Sequence, residues 1–293
     1  LVKNLESKGY TYKTSDGIYF DTSKFSRYAE FAELNLAGQE EGARVEANND
    51  KLNPSDFALW KFSPSDEQRD MEWDSTWGRG FPGWHLECSA MIHELLGEPI
   101  DFHAGGIDHI PVHHTNEIAQ SECAFDKPLA RYWMHCNHIQ VGGKKMSKSL
   151  GNFYTLEDIE SKGFSLNVFR LHVLSGHYRS QSEFSWDTLE ATKNRLQNWV
   201  DKLSIASQKE SQTKVIPLED IKSKLLDALS SDLNSPLAIS IIDEYINAPT
   251  SLNALEFSKL IDELLGIGIN KYLLEISNET ADKLVMRKKA REE

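Results

Sequence analysis

The sequence predicts an α/β domain over residues 1–186 followed by an all-α helical bundle over residues 187–293. Three observations carry that prediction. A short apolar run, Ile100–Phe102, feeds a His103-Ala104-Gly105-Gly106 loop and then a helical stretch, the strand, glycine loop and helix that make one unit of a nucleotide-binding α/β sheet. A second run, Trp133–Val141, reads as another strand, turned by Gly142-Gly143 into a lysine-rich loop. After Trp186 the apolar residues recur with helical spacing in four successive stripes joined by short polar segments, which reads as a bundle.

Taken in order, Leu1–Tyr10 reads as a helix ending at Gly9. Tyr12 and Ile18–Phe20 alternate around Ser15-Asp16-Gly17, a β-hairpin with an Asp-Gly turn. Residues 22–55 are polar and acidic and read as an insertion rather than core, and Phe57, Leu59 and Trp60 as a buried strand. Gly78, Gly80, Pro82 and Gly83 mark a loop. His85–Leu96 is helical by spacing, stopped by Gly97 and Pro99. Thr155 and Asp158 form a capping box that opens the next helix. In the bundle the stripes are Leu189, Leu196, Trp199, Val200 and Leu203, then Ile221, Leu225 and Leu229. A third helix starts with Ser235 as N-cap and Pro236 as its first residue, and a fourth carries Leu255, Leu260, Ile261, Leu264 and Leu265 and ends at Gly266. The last residues, MRKKAREE, read as a helix cut short.

At 293 residues, 40% hydrophobic and 26% charged, the chain has the composition of a globular protein with room for two cores. No run of about 18 apolar residues occurs, which excludes a membrane-spanning helix. Three cysteines, at 88, 123 and 136, are few and odd in number and fit a reducing cytoplasm better than a disulfide framework. The opening LVKNLESKGY lacks an initiator Met and a signal-peptide pattern, so the expectation is a start inside a longer polypeptide. A net charge of −13 argues against a polyanionic partner, but its distribution does not. Residues 127–203 carry 11 Lys+Arg against 7 Asp+Glu, a local +4, whereas residues 1–75 carry 9 against 15. Steering depends on the local face.

Candidate chemistry is densest between Trp84 and Asn152. His113 and Glu117 are four apart, so on a helix they share one face and can grip one ion. With Cys88 they supply a thiolate, an imidazole and a carboxylate, donor types that suit zinc. Lys144, Lys145 and Lys148, with two serines beside a Gly-Gly turn, suit a mobile phosphate-binding loop.

The segments WGRGFPGWHLECSAM, HAGGIDHIPVHHTNEIAQSE and KMSKSLGN, in this order and spacing, closely resemble the cysteinyl-tRNA synthetases, a family of class I aminoacyl-tRNA synthetases. The resemblance runs from the first residues to about Asn270. It implies the C-terminal half of a class I Rossmann-like nucleotide-binding domain with its connective insertion, then a helical domain that contacts tRNA. It implies Zn2+ held by Cys88, His113 and Glu117, with Trp84 walling the cysteine pocket and Asp108 meeting the substrate ammonium group. Gly105 and Gly106 would let adenosine lie against the backbone, and Lys145 and Lys148 would stabilise the charge of the reacting ATP phosphates, accompanied by Mg2+. The implied activity is cysteine–tRNA ligation: cysteine and ATP give cysteinyl-adenylate, and the cysteinyl group passes to tRNA(Cys). The zinc would discriminate by binding the substrate sulfur, because a shape-based pocket separates near-isosteres such as cysteine and serine by only about 10²-fold. A ligase of the same lineage acting on a small amino-sugar, and a non-catalytic zinc-binding fragment, are the alternatives. Family members begin with a nucleotide-binding half that carries a HIGH-type signature and a further zinc-ligand cysteine; neither appears in this sequence. The corresponding expectation is that the 293-residue chain by itself does not turn over.

Overall fold

The computed structural model describes residues 1–34, 49–64, 69–207, 216–248 and 253–273. Two compact units result, Leu1–Cys136 and Asn137–Glu293. The change to purely helical character at Trp186 falls inside the second unit.

In the first unit, helix α1 (Val2–Ser7) is shorter than its apolar spacing suggested, because Gly9 takes φ 81° and turns the chain out of the helix. Strands β1 (Thr11–Lys13), β2 (Gly17–Phe20), β3 (Phe57–Phe62) and β4 (Gly80–Pro82) follow as an antiparallel sheet in the order β1-β2-β3-β4. The expected hairpin is present, with Lys13 opposite Ile18. Residues 80–82 depart from the expected loop. They pair with Trp60–Phe62, and a side chain at Gly80 or Gly83 would run into the carbonyl of Lys61 or Ala58, so these glycines serve close strand packing.

The sheet buries Ile18, Phe20, Phe57 and Leu59 with Leu5 of α1 and Ala119 and Cys123 further along the chain. Each such large side chain taken fully out of water contributes about 1.5–3 kcal/mol. Tyr28 departs from the reading of residues 22–55 as non-core: it is buried in this cluster, and its hydroxyl donates to Asn116 Oδ1 at 2.5 Å. Residues 35–48 of that stretch lie outside the described residues, as does MRKKAREE.

Helix α2 (Trp84–Leu95) then leads to strand β5 (Ile100–Gly106), helix α3 (Thr115–Phe125) and strand β6 (Ala130–Cys136). β5 and β6 are parallel and in register from Ile100↔Ala130 to Gly106↔Cys136, so α3 is the crossover helix that a parallel pair requires. The strand runs on through Gly105 and Gly106 instead of ending at Phe102.

The expected single strand over Trp133–Val141 is two strands in different sheets. β6 stops at Cys136, and β7 (Ile139–Val141) starts the sheet of the second unit. There it pairs antiparallel with β8 (Lys144–Lys145) and parallel with β9 (Ser182–Phe184). Helices α4 (Leu156–Ser161) and α5 (Leu166–Leu174) lie between them in sequence, and the capping box of Thr155 and Asp158 is present.

The helices α6 (Trp186–Ala206), α7 (Leu218–Ser230), α8 (Ser235–Asn247) and α9 (Ala254–Leu265) pack around Trp199, Leu203, Ile221, Leu225, Ile242, Phe257 and Ile261. The N-cap of α8 is Asn234, whose side chain accepts from the Leu237 N–H; Ser235 and Pro236 are the first two helical residues, so the helix starts one position earlier than the spacing implied. Among the described residues no helix is long and apolar enough to cross a membrane.

Candidate metal centre and lysine hairpin

The candidate centre is built where α2 faces the start of α3. Helix α2 starts at Trp84 after its N-cap Gly83, so His85 and Cys88 lie one turn apart on its inner side. The approach to α3 is irregular. A short 3-10 turn over Ile107–His109 passes into a π-turn over Ile110–His114 before the regular α-helix begins at Thr115. The wider turn sets two consecutive histidines, His113 and His114, inward, and both are buried. Such turns are frequent at functional sites.

The structure brings Cys88, His113 and Glu117 together: one donor atom from each lies within 4.8 Å of the others. Glu117 is fully buried on α3. Its Oε1 lies 2.9 Å from His113 Nε2 without the alignment of a hydrogen bond, and its Oε2 lies 2.5 Å from His103 Nε2. Among the described residues His103, His114 and Glu117 form a second such donor group, so one carboxylate serves both.

Further imidazoles surround these atoms. His85 Nδ1 is 3.0 Å from His113 Nδ1, and His114 Nδ1 is 2.8 Å from His135 Nε2. His103 lies on β5 and His109 in the 3-10 turn before the two buried histidines. The spacing of Cys88, His113 and Glu117 does not point to His85 or His135. His85 could have been found from its i,i+3 relation to Cys88, whereas His135 arrives through the β5–β6 register opposite Gly105. A Cβ at Gly105 would lie 2.7 Å from His114 Cε1 and 2.8 Å from His109 Nδ1, so the glycine leaves room for the imidazoles.

The electrostatics follow from burial. Burial would raise the Glu117 carboxyl, but the hydrogen bond of His103 and the proximity and charge of His103 and His113 bring it down to about 2. Burial and its neighbours' charge lower His85 to about 4, and burial lowers His114 to about 3, so both are neutral at pH 7. Cys88 is pushed up to about 11 by burial and by the charge of Glu117. A buried carboxylate beside a thiol that cannot ionise unaided is an arrangement that a divalent cation would relieve, since it stabilises the thiolate. Thiol, imidazole and carboxylate together fit zinc.

Trp84 is 57% exposed and its ring centroid lies 4.5 Å from that of His113, so it forms one open wall beside the donors. Asp108 is half-buried in the 3-10 turn that precedes the two histidines.

The lysine segment is a β-hairpin in the second unit. Gly142 and Gly143 take φ 62° and 68°, the left-handed values that a tight two-residue turn between Val141 and Lys144 requires. Lys145 pairs with Gln140 through the backbone. Lys148 opens a short 3-10 turn closed by Gly151, and its Nζ sits 5.6 Å from the centroid of the Phe153 ring. Asn152 ties the turn back to the strand: its Oδ1 accepts from the Ser147 N–H at 2.8 Å and its Nδ2 donates to the Val141 carbonyl at 3.5 Å.

A family model described as tRNA synthetases class I (C) catalytic domain matches residues 1–194. The chain belongs to this family. Family members similar to it include a cysteine–tRNA ligase of Treponema denticola, 41% identical over 97% of this chain and 62% of the relative. Another, from Clostridioides difficile, is 40% identical over 98% of this chain and 66% of the relative. Cysteine–tRNA ligase 1 of Burkholderia lata is 41% identical over 93% of this chain and 57% of the relative. The chain therefore spans between 57% and 66% of the length of these curated relatives. Their names favour neither the amino-sugar ligase nor the binding-only alternative.

In a solved structure, the ternary complex of Agrobacterium radiobacter K84 agnB2 LeuRS with tRNA and LeuAMS, the likeness has a TM-score of 0.50 at 15% identity, over 73% of this chain and 33% of that one. It supports the class I synthetase fold alone. That fold class, a mixed α/β region followed by helices, is the one the sequence predicted.

Proposed function

We propose that the protein acts as a cysteine–tRNA ligase in the cytoplasm, joining cysteine and ATP as cysteinyl-adenylate and passing the cysteinyl group to tRNA(Cys). The observation that carries this reading is the convergence of half-buried Cys88 with buried His113 and Glu117 in a chain of the class I (C) family. These three side chains would hold a zinc ion. Bound there, zinc would stabilise a thiolate, a discrimination against serine that packing cannot supply.

The chain's own residues would do the rest. Trp84 offers an exposed aromatic face against which a small substrate can pack. Asp108 would face the substrate ammonium group, and Gly105 and Gly106 would let adenosine approach the backbone of β5. Lys145 and Lys148 would stabilise negative charge as the substrate carboxylate attacks the α-phosphorus and pyrophosphate leaves, with Mg2+ on the phosphates. The bundle after Trp186 would contact tRNA, and in this reading the functional boundary between domains lies at 186/187.

Metal analysis tests the centre directly. Zinc bound by the unmodified protein should fall sharply in Cys88→Ser and in His113→Ala; undiminished zinc in either variant would count against the site. Cysteine-dependent ATP–pyrophosphate exchange and charging of tRNA(Cys), measured on the intact protein, test the activity.

A further inference from the structure

Helix α7 ends at Ser230 and α8 begins at Ser235, and the corner between them carries two successive non-glycine residues in the left-handed region, Asp232 at φ 55° and Leu233 at φ 52°. L-residues rarely hold that conformation, although aspartate tolerates it better than most. The Asp232 carboxylate is held from outside the corner. Its Oδ1 accepts from the Tyr178 hydroxyl at 2.6 Å and from Arg179 Nη2 at 3.1 Å. Its Oδ2 lies 2.7 Å from Arg179 Nε and 3.8 Å from His177 Nε2. The hydrogen bond from Tyr178 and the charge of Arg179 keep this carboxyl below its ordinary range.

A single exposed ion pair contributes little. Here, however, three consecutive residues converge on one carboxylate, and the same segment presents its backbone to the lysine hairpin. The Tyr178 carbonyl accepts from the Asn137 N–H at 2.7 Å, and the Arg179 carbonyl from Asn137 Nδ2 at 3.2 Å. Asn137 stands two residues before β7. Beyond Arg179, β9 runs along β7 from Ile139↔Ser182 to Val141↔Phe184, and the Glu183 carboxylate accepts from the Gly143 N–H in the hairpin turn at 3.1 Å. The segment 177–184 is thus a rail. Its side chains are fastened to the bundle corner and its backbone to β7, the hairpin partner of the strand that carries Lys144 and Lys145.

We propose that Asp232 is a positioning residue for the lysine hairpin: by gripping Tyr178 and Arg179 it fixes the carbonyls on which Asn137 and β7 are hung, so that the α7–α8 corner and the hairpin are coupled. The consequence for catalysis rests on the ligase reading above; the structural coupling does not.

The test uses the intact protein with Asp232→Gly, which keeps the left-handed backbone accessible while removing the carboxylate, and Asp232→Asn, which keeps an acceptor for Tyr178 but removes the charge. Amide hydrogen exchange over residues 139–145 should rise about tenfold in Asp232→Gly and less in Asp232→Asn, with protection inside α7 and α8 retained. Unchanged exchange in the hairpin of Asp232→Gly would overturn the proposal. So would an equal rise throughout α7 and α8, which would mark a role in bundle packing alone. In pyrophosphate exchange, Asp232→Gly should lower kcat with the KM for cysteine unchanged. Absence of exchange in the unmodified intact protein would strike the ligase reading, and the amide measurement would still decide the coupling.

Discussion

Glu117 carries its charge at a position with no exposed surface, which is tolerable because His103 and His113 face its two oxygens. Its depressed carboxyl and the neutral buried His85 and His114 have one consequence for the metal-free protein. In each case the folded value lies below the unfolded one, so the unfolded chain takes up protons first as the pH falls. These groups contribute stability that is fully present above about pH 6.5, the ordinary histidine value, and is lost as the pH falls through about 4 and 3 for the histidines and about 2 for Glu117. The urea midpoint of the metal-free protein should therefore be clearly lower at pH 5 than at pH 7. Equal midpoints would show that the cluster is not buried as described. Gly105→Ala probes the same cluster sterically. Because the added methyl would overlap His114 and His109, it should destabilise the protein by about 1–3 kcal/mol, read from the denaturation midpoint, and weaken zinc binding.

At the scale of elements, the lysine hairpin and helix α6 show how local chemistry sets a structure. Lys148 sits on a short turn pinned by Asn152 and closed by Gly151. In the intact protein, Lys148→Ala should lower the rate of pyrophosphate exchange far more than it raises the KM for cysteine, since its charge matters most in the transition state. A normal exchange rate would remove Lys148 from the catalytic role. Helix α6 starts with a reciprocal cap. The Ser185 hydroxyl accepts from the Thr188 N–H at 3.1 Å, and Thr188 Oγ1 accepts from the Ser185 N–H at 3.0 Å. Ser185→Ala should cost about 1 kcal/mol in a thermal or urea melt, and no loss would mean the cap is replaced by water.

Across the whole molecule, the two units have separate cores, one around Phe20 and Leu59 and one around Trp199 and Leu225. Leu225 is fully buried between the helices of the bundle, so Leu225→Ala should destabilise the second unit by about 2–5 kcal/mol. Hydrogen exchange should place the loss in residues 186–265 and leave α2 and α3 protected. A loss spread evenly over both units would show that they unfold as one body.

The sequence by itself determined the family, the elements with strong periodicity and the Thr155 cap, because these depend on residues close together in the chain. The Asp-Gly hairpin, the Thr155 box, the stripes of α6, α7 and α9 (apart from Leu255, which is exposed) and the pairing of His113 with Glu117 are all of this kind. Tertiary structure decided the rest. The strand over Trp133–Val141 reads as continuous, yet it breaks at Asn137 because its two halves find partners in different sheets, one with β5 and one with β9. Gly80 looked like a loop residue until β3 lay against it. Cys88 and Glu117 are 29 positions apart, and resemblance to a family joined them before any spacing rule could. His135 joined the cluster only through strand register, and Asp232 met Tyr178 across 54 residues. Local propensity is written in neighbouring residues; partners brought together by packing are not, because the surface each buries belongs to a distant part of the chain.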